Sequence, residues 1–322
     1  MVSSISLPLD TVFKLILENM KRSGNPIGVG SDICVEWSRG LDLPRGGRSV
    51  IYTSCMYQMA PYIKRFVDQI ERLEGLKGSS VVLRLGSILG RFIDLSAILR
   101  IPEDEIKRSS NIIRNIVSAL RRVDRDLGYL YEDEPYSGAL LYELGLEEAF
   151  EEHIKKVLEI FRRYKVERVY TIDPHTHHVL KHVYPSYVEK LDLEVVHYLE
   201  VLSRENLDLK REGSSEENSY VIHDPCLLVR YSNIIDPQRI VLNKLNVRFQ
   251  EPLRSRVRTR CCGGPIESIA PRVSGSVARV RLEELTKYSN KIIVMCPICY
   301  VSLSRYSKDY NAMIHDLAEF LG

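Results

Sequence analysis

The segment IIVMCPICYVSLSRYSKDY (292–310) can be laid over VYTIDPHTHHVLKHVYPSY (169–187) without a gap, and this pairing governs how the rest of the chain is read. Pro297 then falls on Pro174 and Leu303 on Leu180, each after a short apolar run of strand character. Upstream, TRCCGGPIESIA (259–270) falls over EPYSGALLYELG (134–145), with Gly263 on Gly138. Farther upstream, SYVIHDPCLLVRY (219–231) falls over SVIYTSCMYQMA (49–60), with Cys226 on Cys55. Between the last two anchors lie 33 residues in one case (Cys262 to Cys296) and 35 in the other (Ser137 to Asp173). Three anchors in one order argue for two copies of a single unit.

Each copy reads as strand, helix, a strand or turn at the double-Cys position, an amphipathic helix, a strand and a closing helix. Leu146 to Tyr164 carries apolar residues at helical spacing and is expected as a surface helix. Strands alternating with helices predict an α/β fold: two pseudo-duplicated units with mainly parallel sheets flanked by helices. The first unit is longer, since 80 residues separate Cys55 from Tyr136 against 34 between Cys226 and Cys261. The extra material, roughly 63 to 128, has helical periodicity and is expected as a small helical cap. The division that follows is a helix and connector over 1–45, a degenerate unit over 46–205, a linker rich in charge, Gly and Ser over 206–218, and a cysteine-bearing unit over 219–322.

Composition narrows the class. The chain has 322 residues, 44% hydrophobic and 27% charged, as expected of a globular protein with two ordinary domains. A net charge of +2 argues against a nucleic-acid partner. The most apolar stretch, Ser79 to Leu99, is interrupted by Arg84, Arg91 and Asp94, so no membrane span is expected. The first twenty residues lack the marks of a signal peptide, and Val12, Leu15, Ile16 and Met20 fall at helical spacing. These features point to a cytoplasmic protein, with any membrane association made through partner subunits. GVG at 28–30 is not a dinucleotide fingerprint, because Ile33 stands where the third glycine belongs.

Seven cysteines are placed unevenly. Five lie in the second unit as Cys226, Cys261-Cys262-Gly-Gly and Cys296-Pro-Ile-Cys299. Without an export signal, disulfide pairing is not expected and metal or redox chemistry is. Thiolates select iron–sulfur clusters, zinc or copper(I). Adjacent cysteines grip a single tetrahedral ion poorly but can both reach a larger cluster, and the glycines allow close backbone approach. A zinc site with four cysteine ligands is the simpler alternative. Cys34, three residues before Trp37, reads as a buried core cysteine.

HDPCLLVRY, CCGGP and CPICYVSL resemble the anchors of the cysteine-rich CCG domain found in the B-type and D-type subunits of heterodisulfide reductases. The same domain occurs in the iron–sulfur subunits of glycolate and lactate oxidases. GNPIGVGSDICVEWSRGLDLP (24–44) looks like the connector preceding such domains, so the resemblance covers roughly residues 24 to 322. It implies that Cys226, Cys261, Cys262, Cys296 and Cys299 hold a 4Fe–4S type cluster, non-cubane in the B-type subunits, which reacts with disulfides. The first unit keeps only Cys55: Tyr136, Ser137, Asp173 and Thr176 stand at the other ligand positions, so it should hold no cluster of the family type. With no ferredoxin-like cysteine runs here, the resemblance also implies a ferredoxin-like or flavoprotein partner.

Further candidates follow from position. Cys55, Asp173, His175 and His177 form a candidate second metal site, polar packing being the plainer reading. His178 joins His175 and His177 as a polar face expected to line an open cavity between the units. His223, three residues before Cys226, is a candidate hydrogen-bond donor to the cluster or proton donor to substrate. Arg254, Arg256, Arg258 and Arg260 alternate along a strand-like run, which would put all four on one docking face. The functional expectation is the iron–sulfur subunit of a heterodisulfide reductase-like complex, its cluster reacting with a disulfide or thiol. The alternatives are an electron relay for a flavin-dependent 2-hydroxy acid or polyol dehydrogenase, and a zinc-stabilised scaffold.

Overall fold

A computed structural model of the chain describes residues 9–74, 100–205, 207 and 219–322. The first unit begins with helix α1 (Leu9–Ser23), then strand β1 (Ser49–Tyr52), helix α2 (Met56–Glu74), helix α3 (Glu103–Arg121), helix α4 (Glu147–Arg163), strand β2 (Arg168–Thr171), strand β3 (Glu194–His197) and helix α5 (Tyr198–Arg204). The second follows with β4 (Tyr220–Ile222), α6 (Pro237–Lys244), β5 (Phe249–Gln250), α7 (Pro271–Leu285), β6 (Lys291–Val294), α8 (Pro297–Ser304) and β7 (Met313–Asp316). The sheets run β1-β2-β3 and β5-β4-β6-β7, and every strand pair is parallel.

The duplication is visible in the backbone. β1, β2 and β3 occupy the same sheet order as β4, β6 and β7. Asp173 and Cys296 are both N-cap residues followed by Pro at the first helical position, where a fixed φ suits a helix start. Gly138 and Gly263 both have positive φ, +79° and +102°. The last strand of each unit ends in a capping box, His197 with Glu200 and Asp316 with Glu319.

Parallel strands bury both faces, and here each face feeds a different core. Val50, Tyr52, Val221, Ile292 and Val294 enter one apolar cluster, while Ile51, Ile222 and Ile293 enter the other. Both clusters therefore contain residues of both units. The insertion is not a cap on the first unit alone. Within it, α3 buries Ile112, Ile113, Ile116 and Leu120 in the second core, donates from Asn115 to the Ala318 carbonyl (3.0 Å) and pairs Arg108 with Glu319. Residues 75–99 of the insertion, the expected linker apart from residue 207, and the first eight residues lie outside the described residues.

A second tie joins α8 to α2. Arg305, with its side chain 1% exposed, pairs with Asp68 (2.8 Å) and with Glu71, which also accepts from the Tyr306 hydroxyl (2.8 Å). Arg305→Ala removes the cation that neutralises both carboxylates and should lower unfolding stability by about 2–3 kcal/mol, read from a shift in denaturant midpoint. A loss below about 0.5 kcal/mol, the scale of an exposed pair, would show that the units do not depend on this contact.

Candidate metal centre

The second sheet delivers the cysteines from the C-terminal ends of its parallel strands, where open α/β sheets present their ligand sites. Cys226 follows β4 through His223-Asp224-Pro225. Cys261 and Cys262 sit on the loop before α7, and Cys296 follows β6 as the N-cap of α8, with Cys299 in the first turn of that helix. The positive end of a helix favours anionic sulfur there.

The five thiols form one connected set. Cys226 meets Cys261, Cys261 meets Cys262, Cys262 meets Cys299, and Cys299 meets Cys296. Cys262, Cys296 and Cys299 are buried; Cys226 and Cys261 are half-buried. Hydrogen bonds from Cys226 and Cys262 hold the pKa of Cys261 well below the usual thiol value. Burial opposes ionisation of Cys296, yet its contacts with Cys299 and His175 bring its pKa down to about 5. Cys226, Cys262 and Cys299 are pushed up, chiefly because each shares a proton with a neighbouring thiol. Protons are thus shared along the set, which suits their displacement by metal.

The loop carrying Cys261 and Cys262 admits no side chain where the glycines stand. A Cβ on Gly263 would meet the Ser274 carbonyl oxygen at 2.5 Å, at a φ that disfavours other residues, and one on Gly264 would collide with Ile298. Asp224 braces the loop from behind. It accepts two hydrogen bonds from the buried Arg239 guanidinium (2.6 and 2.8 Å) and one from the Arg256 amide (2.6 Å).

His223 is 1% exposed, and burial followed by the charge of Arg281 pushes its pKa well below the ordinary value. Arg281 donates to its Nδ1 (3.0 Å), so the neutral ring carries its proton on Nε2, which has no partner. One nitrogen of His223 lies within 4.8 Å of the sulfurs of Cys262 and Cys299. Such a trio could suggest a single-ion site, but a ring protonated on Nε2 donates rather than ligates. The arrangement favours hydrogen bonding to a sulfur-rich centre over zinc coordination or proton delivery by an imidazolium. Five thiol groups in contact, a glycine cradle and a neighbouring histidine with an unpartnered N–H fit an iron–sulfur cluster.

The expected second site does not assemble. Cys55 is joined to Cys34 in a disulfide, so neither is a free thiol and Cys34 is not simply a core cysteine. The expectation that no disulfide forms is corrected: the connector returns against the start of α2, bringing the two Cα atoms to 5.1 Å. Asp173 caps the helix Pro174–His178, accepting from the amides of His175 and Thr176. A carboxylate therefore closes the helix end that α8 leaves open for the sulfurs. His177 bonds Thr171 (2.8 Å) and packs on His197, and His178 packs on Tyr231. Only His175 reaches the centre: it lies between Glu143 (2.5 Å) and Cys296, and although burial opposes its charge, these two anions raise its pKa well above the usual value.

The arginine run is not a strand either. Arg256 adopts φ +55° and opens a 3-10 turn, Arg256–Arg258, which destroys the two-residue alternation. Its side chain leaves for Asp236 and Glu251. Arg254, Arg258 and Arg260 remain together with Arg230 around an open cleft whose wall includes Cys261.

The family model of the cysteine-rich domain designated CCG matches residues 220–304. This part of the chain belongs to that family. Over 298 residues the chain is 30% identical to a probable membrane-anchored ferredoxin of Chromohalobacter salexigens, a match covering 89% of this chain and 38% of the relative. It is 29% identical to the probable iron-sulfur-binding oxidoreductase FadF of Bacillus subtilis, over 66% of this chain and 31% of that protein. It is 34% identical to the D-type subunit of the dihydromethanophenazine:CoB--CoM heterodisulfide reductase of Methanosarcina acetivorans, over 34% of this chain and 28% of that one. The chain thus spans less than two fifths of the length of these relatives. With its thiol set, this chain is thus similar to one part of proteins described as iron–sulfur oxidoreductases or ferredoxins. Among the described residues, no helix is long and apolar enough to cross a membrane.

Cys55→Ser should leave iron content unchanged while lowering stability, because it breaks only the Cys34–Cys55 link. Cys262→Ser should empty the centre. Iron analysis of anaerobically purified protein distinguishes the two, and iron loss in Cys55→Ser would place the centre in the wrong unit.

Proposed function

We propose that Cys226, Cys261, Cys262, Cys296 and Cys299 hold one 4Fe–4S type cluster and that this centre reduces or forms a disulfide as part of a heterodisulfide reductase-like complex. When bound, the cluster supplies single electrons and iron with affinity for a thiolate sulfur. The observation that carries the reading is the placement of Cys261 on the wall of the cleft lined by Arg230, Arg254, Arg258 and Arg260. An electron relay gains from burying all its ligands, whereas here two of the five cysteines reach solvent.

The arginines would hold an anionic disulfide or thiolate beside the exposed cysteine edge, through charge and fork-shaped hydrogen bonding. His175, between Glu143 and Cys296, and His223 would hold the buried edge by hydrogen bonds. Reduction of one disulfide consumes two electrons and two protons. A ferredoxin-like or flavoprotein subunit would exchange those electrons, in a cytoplasmic complex attached to membrane only through such partners.

Anaerobically purified protein is expected to contain about four irons and four sulfides per chain. Stoichiometric zinc without iron would overturn the assignment. Titrating the reduced protein, freed of excess reductant, with dithiodipropionate should alter its electron paramagnetic resonance spectrum more strongly than neutral hydroxyethyl disulfide does. Arg254→Gln combined with Arg258→Gln should remove that preference, and 1 M salt should weaken it in the parent protein, since such charges are screened within about 3 Å there. A spectrum indifferent to every thiol and disulfide would leave the relay as the function.

A further inference from the structure

The cavity between the units is a largely apolar cleft between α1, α2 and the second unit, and of the three histidines expected to line it only His175 does. Its other polar groups are Asn19, Tyr136, Glu143, Glu267 and Ser268, and through Pro265 and Ile298 it adjoins the cysteine segments. It belongs to the surroundings of the metal centre. A separate cleft opens on another face of α1, with Leu17, Met20, Pro135 and His153 among its walls. Both partners of the Cys34–Cys55 disulfide line it. Cys34 is half-buried and Cys55 is 5% exposed, so an incoming group meets Cys34 first.

Three features set this disulfide apart from a simple staple. The first is its company: the same chain carries five free cysteine thiols. Conditions that keep those thiols available for metal also expose an accessible disulfide to reductants. The second is its position. Cys55 immediately precedes α2, and its carbonyl accepts from the Met59 amide (2.9 Å). The positive end of this 19-residue helix favours a thiolate on Cys55, which makes that sulfur the better leaving group. Ser54 and Cys55 also hold left-handed φ values, +50° and +55°, a costly conformation that clusters at functional sites. The third is what remains when the bond opens. Gln58 donates to the Cys34 carbonyl (2.8 Å), and the buried Trp37 packs on Tyr129 with ring centroids 4.8 Å apart. Asn25 accepts from the Gly28 and Val29 amides and donates to the Val29 carbonyl. These contacts hold the connector independently of the S–S bond, so the two opened sulfurs stay neighbours, ready to close again.

We propose that the Cys34–Cys55 pair is a second, metal-free redox site that exchanges electrons with external thiols through this cleft. An incoming thiolate attacks the Cys34 sulfur; the S–S bond breaks, and its electron pair leaves on Cys55. The product is a mixed disulfide at Cys34. A second external thiolate attacks the outer sulfur of that bond and releases Cys34. Two external thiols thereby become one disulfide, and two electrons and two protons pass to Cys34 and Cys55. An external disulfide reverses the sequence and closes the pair. The site uses neither the cluster nor the arginine-lined cleft, so it stands or falls apart from the function proposed above.

The test equilibrates metal-loaded protein anaerobically in buffers of varied reduced-to-oxidised glutathione ratio. Samples are quenched in acid and alkylated in denaturant, and peptide mass spectrometry reads Cys34 and Cys55. The pair should pass from oxidised to mostly reduced as the buffer becomes more reducing, and return when the ratio is reversed. Iron content and circular dichroism at each point show that the protein stays loaded and folded. A glutathione adduct trapped on the way should sit on Cys34. In a second arm reduced thioredoxin, a dithiol protein, replaces glutathione; opening by both assigns the exchange to thiols of any size, and opening by thioredoxin alone to a dithiol protein. Met20→Trp, which narrows the cleft, should slow opening severalfold in folded protein. A pair that neither reductant opens until denaturant is added, as expected of a purely structural disulfide, would overturn the proposal. So would a pair that does not close again, an adduct on Cys55, or opening that is equally fast in folded Met20→Trp.

Discussion

Five sulfur groups packed against one another inside a protein are stable only if something shares or replaces their protons. Left to themselves, as many thiolates would repel, and as many thiols would fill a large buried volume with weak hydrogen bonds. The surrounding structure is arranged around that problem. α8 turns its N-terminus toward Cys296 and Cys299, and His175 and His223 come in from the sides. Gly263 and Gly264 draw the loop close enough for Cys261 and Cys262 to join. Arg281 and Arg239 fix the orientation of His223 and Asp224, so the second layer is as rigidly held as the first.

The two units show how one backbone frame can keep or discard such a centre. The sheet order, the proline after the N-cap, the left-handed glycine and the capping box survive in both. What differs is the chemistry at the cap. Asp173 stands at the position of Cys296 and turns its carboxylate onto the amides of its own helix, so the first unit satisfies that helix end without a metal. The remaining cysteine is tied to Cys34. The first unit nevertheless contributes to the centre of the second, because His175 lies two residues beyond that cap and meets Cys296 across the junction.

That junction is made by shared cores rather than by a thin seam. Alternate residues of β1, β4 and β6 enter two apolar clusters that each include both units, and α3 fastens the C-terminal turn. Neither unit can move far from the other without opening both clusters. The centre is therefore held at a fixed place between an arginine-lined cleft and an apolar one, with opposite chemistry on either side.

Much of this was written in the sequence. Adjacent cysteines, a Cys-x-x-Cys step and glycines after them declare a thiolate centre because ligand spacing is local, and the duplication declares an α/β fold because strand and helix periodicities are local too. Local pattern misled where the chain bends: the alternation from Arg254 to Arg260 promised one face, but a positive φ at Arg256 divided it. Longer-range partners were beyond its reach. The meeting of Cys34 with Cys55, of His175 with Cys296, and of Glu267 with an apolar cleft depends on which surfaces the two units bury against each other. Sequence determined which residues could bind metal; tertiary packing decided which of them meet, since contact between distant segments is set by how whole faces close on a shared core.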